Sequence, residues 1–344
     1  MNVKRNWIYK MVIFTLLATA VIFVIRNPPA KEAKIINIGV LTIGDSRYEK
    51  LFGLKNGLKE LGYHQNDLHF IIKNSKADPL KLKKQIAELL EIRPDLIVTL
   101  GGIETIELKK AMDISRIKIP VVFAGIASPQ EIGIIQNEKA PGGQFTGINN
   151  FHASISGKRL ETLYNLIPSI KRVHILYDDE TEISKLGLNH TLDAAEKLSL
   201  TVKVWNAADK TMLKQLEKNL TKNDALFILP SFRIESMTDA LVKMANRHHL
   251  PTMGIYEYEV KKGFLASYGT SLSDQGYQAA RYVSLILKGN SPREVPVEMP
   301  DNIRFLINKQ EQNLLGIPLN QDLLKIAEFR GTDRRGLEKD GIHH

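Results

Sequence analysis

The residues best placed to do chemistry in this chain stand where apolar runs stop. LIVTL, residues 96–100, ends at Gly101-Gly102, and ALFIL, residues 225–229, ends at Pro230-Ser231; each stop is followed by a helical pattern. Two glycines ahead of a helix leave room for an anionic ligand group to approach the first N–H groups of that helix. Tight packing of strand against helix calls for the same pair. A phosphate loop is excluded, because neither a Walker A pattern nor G-x-G-x-x-G is present. Ser128 and Ser231 occupy equivalent strand ends, where a hydroxyl either hydrogen-bonds a polar ligand or caps the following helix. Tyr48, Tyr177, Tyr256 and Tyr268 are candidate stacking surfaces for a planar ligand, with ordinary packing as the alternative.

Other reactive-looking clusters point less far. Asp178-Asp179-Glu180 follows an apolar run and suits a cation, a partner surface or a solvated, helix-capping turn. His248-His249 looks like a metal pair, but adjacent side chains on a helix diverge by about 100°. Nothing in the chain demands a metal or a cofactor. With no cysteine there is no thiol nucleophile, disulfide or thiolate metal site. No spacing of carboxylates and no Ser, His and Asp set argues for catalysis, so an enzyme is not expected.

The elements that must position these residues read as two repeats of one plan. Strand-like and helix-like patterns alternate from residue 36 to 126 and again from 172 to 256, as expected for parallel sheets with right-handed crossovers. The distance from Asp95 to Pro120 is matched closely by that from Asp224 to Pro251. At 344 residues, two lobes of ordinary size are expected. Ligands of open parallel sheets sit outside the carboxyl ends of the strands. The two small-residue stops therefore form facing walls of one cleft. GGQFTGIN, residues 142–149, and Tyr268-Gly269-Thr270-Ser271 are the candidate hinges.

The charge of +9 is not a nucleic-acid signature, because +5 of it lies within residues 1–34, beside MVIFTLLATAVIFVI. That segment reads as an uncleaved signal anchor, residues 7–26, with the N-terminus inside and the rest of the chain outside the cytoplasmic membrane. A signal peptide is the alternative, and a lipoprotein is excluded for want of a cysteine. Residues 330–344 read as a polar, disordered tail.

GLKELGY, IPVVFAGIASP, APGGQFTG, KKGFLASYG, ILKGNSPREVPVEMP and INKQEQNLLGIPL resemble, as a set covering about residues 36–329, the type I periplasmic solute-binding proteins. The resemblance is to the ABC-importer family whose better-known members bind tryptophan or tyrosine. It implies an α/β fold of two Rossmann-like lobes joined by three strands and closing on a ligand like a hinge. The first lobe would hold residues 35–149 and 271–291, and the second 150–270 and 292–329, with crossings near 149, 270 and 292. Where relatives often carry Thr-Asp-Pro this chain has Ala127-Ser128-Pro129, where they often carry Thr-Pro it has Gly102-Ile103, and where they carry an ammonium-binding Asp it has Ser271. Glu257 and Glu259 offer a substitute charge from the opposite wall. The expected ligand set is therefore Ser46, Gly102, Ile103, Ala127, Ser128, Tyr177, Ser231, Tyr256, Glu257, Tyr268 and Ser271. The expected function is capture of a small, amino-acid-like solute by a monomer and its delivery to an ABC permease; a membrane-anchored sensor signalling to a receptor or kinase is the alternative.

Overall fold

The computed structural model describes residues 35–331. The expected membrane anchor, and the expected tail from residue 332 onward, lie outside the described residues. Among the described residues no helix is long and apolar enough to cross a membrane.

The first lobe runs β1 (Ile36–Thr42), α1 (Tyr48–Glu60), β2 (Leu68–Asn74), α2 (Pro79–Ile92), β3 (Leu96–Thr99), α3 (Gly102–Ser115), β4 (Val121–Ile126) and β5 (Phe145–Asn149). The second runs α4 (Ser156–Leu166), β6 (Arg172–Tyr177), α5 (Glu182–Lys197), β7 (Thr201–Asn206), α6 (Met212–Lys218), β8 (Asp224–Ile228), α7 (Phe232–Ser236), α8 (Thr238–His248), β9 (Thr252–Gly254), α9 (Glu257–Lys262) and β10 (Ala266–Gly269). α10 (Leu272–Leu287) then returns to the first lobe, and β11 (Arg304–Asn308), α11 (Lys309–Leu315), α12 (Gln321–Ile326) and β12 (Glu328–Arg330) complete the second. Arg330, expected in the tail, thus closes a strand.

Among the described residues the sheets are ordered β2-β1-β3-β4-β5 and β12-β11-β10-β9-β8-β6-β7. All neighbours are parallel except β10 and β11, which pair antiparallel. β3, β4 and β8 are buried along their whole length, the pattern of strands covered by helices on both faces. In the first lobe, one face carries the apolar stripes of α2 and α3 and the other those of α1 and α10. Asp78 starts α2 by accepting the N–H groups of Leu80 and Lys81, with Pro79 at the first helical position.

The chain passes from one sheet to the other after β5, back to the first lobe after β10, and again between α10 and β11. Residue 292, where the third crossing is expected, lies within the last of these stretches. Val295 and Val297 are buried against the first lobe's cores, the Val297 N–H donates to the Glu138 carbonyl at 2.7 Å, and Glu298 bridges Ile148 in parallel. Residues 293–298 therefore extend the edge of β5 before the chain crosses.

α10 is held on α1 by backbone contact that only glycine permits. A Cβ on Gly53 would stand 1.9 Å from the Ser273 carbonyl oxygen, and one on Gly276 1.8 Å from that of Lys50. Gly53→Ala forces the two helices apart, and is expected to lower unfolding stability by about 3 kcal/mol, measured by urea denaturation.

Candidate functional site

The carboxyl ends of β1, β3 and β4 in the first lobe and of β8 and β9 in the second converge on one cavity of about 100 Å³. Gly101 and Gly102 line one wall and Pro230 and Ser231 the other, with Asn150 and His152 from the first hinge passage at the floor. The two small-residue stops thus face each other. Gly101 has an extended backbone that any residue adopts. Its glycine is explained by Glu104, whose carboxylate oxygens would lie 2.9 and 3.0 Å from an added Cβ. Gly102 borders open space, with nothing within 4 Å of where its Cβ would be. At Gly125, φ is +81° and a Cβ would strike Gln275 Oε1 at 2.0 Å, so only glycine lets β4 end there.

Charge is concentrated at this convergence. Arg47, in the single 3-10 turn between β1 and α1, reaches across the cleft to Glu235 of α7. Its Nη2 lies 2.7 and 2.8 Å from the two carboxylate oxygens. Nη1 donates to the Tyr256 hydroxyl at 3.4 Å, the guanidinium carbon lies 5.6 Å from that ring's centroid, and Nε has no partner. Burial opposes both charges. Glu235 nevertheless holds the Arg47 guanidinium above its usual value, while the Glu235 carboxyl sits above its own despite Arg47. The guanidinium does not deprotonate, and its Nη2 donating to both oxygens of Glu235 is the geometry of an ion pair.

Lys50 is fully buried and donates to the Gly125 carbonyl at 2.6 Å. Burial, then Arg47, hold it well below the usual lysine value. Burial pushes Glu104 up to about 7, and neither of its carboxylate oxygens has a hydrogen-bond partner. His152 is fully buried with both ring nitrogens unpartnered; burial, then the nearby Arg159, keep it neutral. A neutral imidazole offers one donor and one acceptor; His152 lines the cavity with its Nδ1 edge toward Gly269, whose added Cβ would lie 3.0 Å from that nitrogen. Its ring is braced edge-on by Tyr256 at 4.9 Å. Arg159 donates from Nε to the Tyr268 carbonyl and from Nη2 to the His152 carbonyl, tying two hinge passages together.

Of the residues singled out from sequence, Gly102, Ile103, Ala127, Ser231 and Tyr256 line the cavity. Ser231 caps α7 by accepting the Arg233 N–H, and its hydroxyl donates to Asp178 at 2.7 Å, which is the helix-capping alternative. Ser128 is buried behind Ala127 in a left-handed turn, φ +49°, with its N–H on Asn149 Oδ1. Ser271 caps α10 by accepting the Asp274 N–H. Ser46 and Tyr48 line a second groove, shared with Phe232, Glu235 and Tyr258 of the second lobe. The Tyr177 ring packs at the edge of the second lobe's core, and the Tyr268 ring faces Phe305 at 6.4 Å.

Glu257 points away from the cleft, between Arg304, Arg330 and Lys261. Glu259 lies beneath the wall, where one oxygen accepts the N–H groups of Ile255 and Tyr256 at 2.5 and 2.9 Å and so fixes the turn that presents Tyr256. Asp178 and Glu180 are engaged by Arg233. His248 meets Glu217 at 3.2 Å. Among the described residues no group of three or more acidic, His or Cys side chains could hold a metal ion.

Arg47, Glu104, His152, Phe232 and Glu235 escape sequence reading. Glu104 has the position of an ordinary first-turn acid, Arg47 that of a solvated loop cation and Glu235 that of an exposed helix charge. The one available signal is Gly101 three residues before Glu104, a gap sized for its carboxylate. Phe232 begins α7 in the second lobe yet packs with the first lobe's core, its ring 3.0 Å from where a Gly44 Cβ would be.

The family model of ABC transporter substrate binding proteins matches residues 35–329. A tyrosine-binding protein of Clostridioides difficile (strain R20291) is 25% identical over 303 residues, 87% of this chain and 86% of the relative. An ABC domain from Streptococcus pneumonia in complex with L-Trp superposes with a TM-score of 0.77 at 25% identity, over 86% of this chain and 99% of that one. A conserved domain protein of Vibrio cholerae shares the fold at a TM-score of 0.77 and 22% identity, over 87% of this chain and 100% of that one.

The buried carboxyl of Glu104 sets a pH dependence. Its folded value of about 7 lies above the 4.5 of an ordinary Glu, so its contribution is complete below about pH 4.5 and is lost as pH rises through 7. The opposite trend of His152, lost as pH falls below about 6.5, cancels when two variants are compared at one pH. Glu104→Gln is therefore expected to gain in melting temperature relative to the parent chain between about pH 5 and about pH 8. A difference that stays constant with pH would place the Glu104 charge in water.

Proposed function

The chain belongs to the family of ABC transporter substrate-binding proteins, and from that premise we propose that it captures a small, amino-acid-like solute between its lobes and delivers it to an ABC importer. Members of this family bind solutes and are not enzymes. The observation that carries the finer reading is His152: an imidazole buried at the cleft floor, unpartnered at both nitrogens and lining the cavity, is costly unless a ligand completes it. Ion-pairing groups on both walls and the open N-terminus of the fourteen-residue α3 above Gly102 supply the other contacts that an amino acid needs. The tyrosine-binding relative and the L-Trp complex support a solute of this class. The lobes would work as a monomer outside the cytoplasmic membrane, held there by residues 7–26, the three passages serving as hinge.

A thermal-shift screen of the purified chain against the twenty amino acids, sugars, polyols and amines is expected to give concentration-dependent stabilisation by at least one amino acid. His152→Ala should weaken that ligand about tenfold or more by calorimetry, since a buried hydrogen bond is lost. Stabilisation by no compound of any class would refute solute capture. Binding without uptake in cells carrying the cognate permease would transfer the partnership to a sensor. For the anchor, the chain should remain in the membrane fraction after alkaline carbonate washing, and its release would favour a cleaved segment.

A further inference from the structure

The Arg47–Glu235 contact occupies the ground that a ligand would need. Both side chains line the cavity and both are buried, yet they belong to different lobes. The remaining space, about 100 Å³, is smaller than the ~150 Å³ void that takes up benzene in an engineered protein core. A solute larger than benzene that settles in this cavity therefore competes with these two side chains for its space. Aromatic platforms are already committed: Tyr256 stacks on Tyr258 at 5.8 Å and lies under Arg47, and Phe232 is packed into the first lobe.

Parting a buried ion pair has a definite chemical consequence. If only one member finds a new partner, the other is left charged and dry, which is far worse than the pair itself. A monoanion would satisfy Arg47 and strand Glu235, and a monocation would do the reverse. Among the described residues Arg47 and Glu235 form an ion pair only with each other, so no neighbouring side chain stands ready to replace a lost partner. Only a solute bringing both charges compensates Arg47 and Glu235 together.

Resting on the reading of the cleft as an amino-acid-like solute site, we propose that Arg47 and Glu235 form an exchange pair that selects zwitterions. The ligand's carboxylate takes Arg47 from Glu235, using the unpartnered Nε edge, while its ammonium takes Glu235 from Arg47. The contact that ties the lobes directly is replaced by one that runs through the ligand. A neutral sugar or polyol offers no exchange, and a keto acid or amine offers half of one.

The test uses matched triads on the purified chain: L-tyrosine with tyramine and 3-(4-hydroxyphenyl)propionate, and L-leucine with isopentylamine and 4-methylpentanoate, followed by calorimetry and thermal shift. For whichever triad binds, the amino acid is expected to bind at least about thirtyfold more tightly than either single-charge analogue. In the double variant Arg47→Gln/Glu235→Gln, which removes both charges and leaves neither stranded, that preference should fall to about threefold or less. Melting of the double variant reports its folding separately. Analogues binding as tightly as their amino acid, or a double variant that is folded and keeps the full preference, would overturn the exchange while leaving solute capture intact. Binding by sugars or polyols alone would overturn it too, and a failure of every class would remove the underlying reading with it.

Discussion

Arg47 holds Glu235 across the cleft through a single nitrogen placed between both carboxylate oxygens, and much of the surrounding structure serves to make that burial tolerable. Two charges removed from water pay a desolvation penalty that their attraction recovers only with good geometry and further polar partners. Here the Tyr256 hydroxyl and ring face the guanidinium, and Glu259 fixes the turn that brings Tyr256 into place. Lys50, the nearest competing cation, is turned onto the Gly125 carbonyl, which is reachable because Gly125 takes a left-handed turn. The site is a chain of such dependencies rather than a set of independent contacts, and a charge change at one member is felt by the others.

The same constraint explains why the pair does not simply lock the molecule. A buried salt bridge is weak evidence of stability, since its Coulomb gain and its desolvation nearly cancel. An inter-lobe contact of that kind sets a geometry without adding much to the free energy of closure. Closure then depends on apolar contact, of which Phe232 against the first lobe is the local example. A ligand that replaces the ionic contact like for like can keep the apolar one, so specificity and closure are carried by separable groups.

Much of the fold was legible because burial on both faces of a parallel strand leaves an uninterrupted apolar run. The apolar runs at 96–100 and 225–229 match β3 and β8 to within one residue at each end. Reading failed where tertiary contact supplies what the sequence lacks. α9 is a short helix whose acidic start looks like loop, yet it exists because the Glu259 carboxylate reaches back to its own N-cap. Residues 293–298 have no helical or alternating pattern; their partners are the backbone of β5 and of Glu138, far away in the chain. β11 and β12 lie in a stretch whose apolar residues are split among four short elements, too few in each to show a period.

At the site, sequence reading placed the walls and missed the charges, for a physical reason. Strand ends are fixed by local pattern and by topology, so Gly102, Ile103, Ala127, Ser231 and Tyr256 could be found from the rule that ligands gather at carboxyl ends. Whether a charged residue is buried depends on what the other lobe brings opposite it, and no local pattern records that. Glu257 and Glu259 illustrate the limit: both stand beside a wall residue, but helical geometry turns one outward to Arg304 and folds the other beneath the turn. The carboxylate that does face the cleft, Glu235, comes from a helix that begins with Phe232, the residue by which the second lobe packs into the first. One short segment therefore delivers both the apolar contact that closes the cleft and the charge that waits inside it.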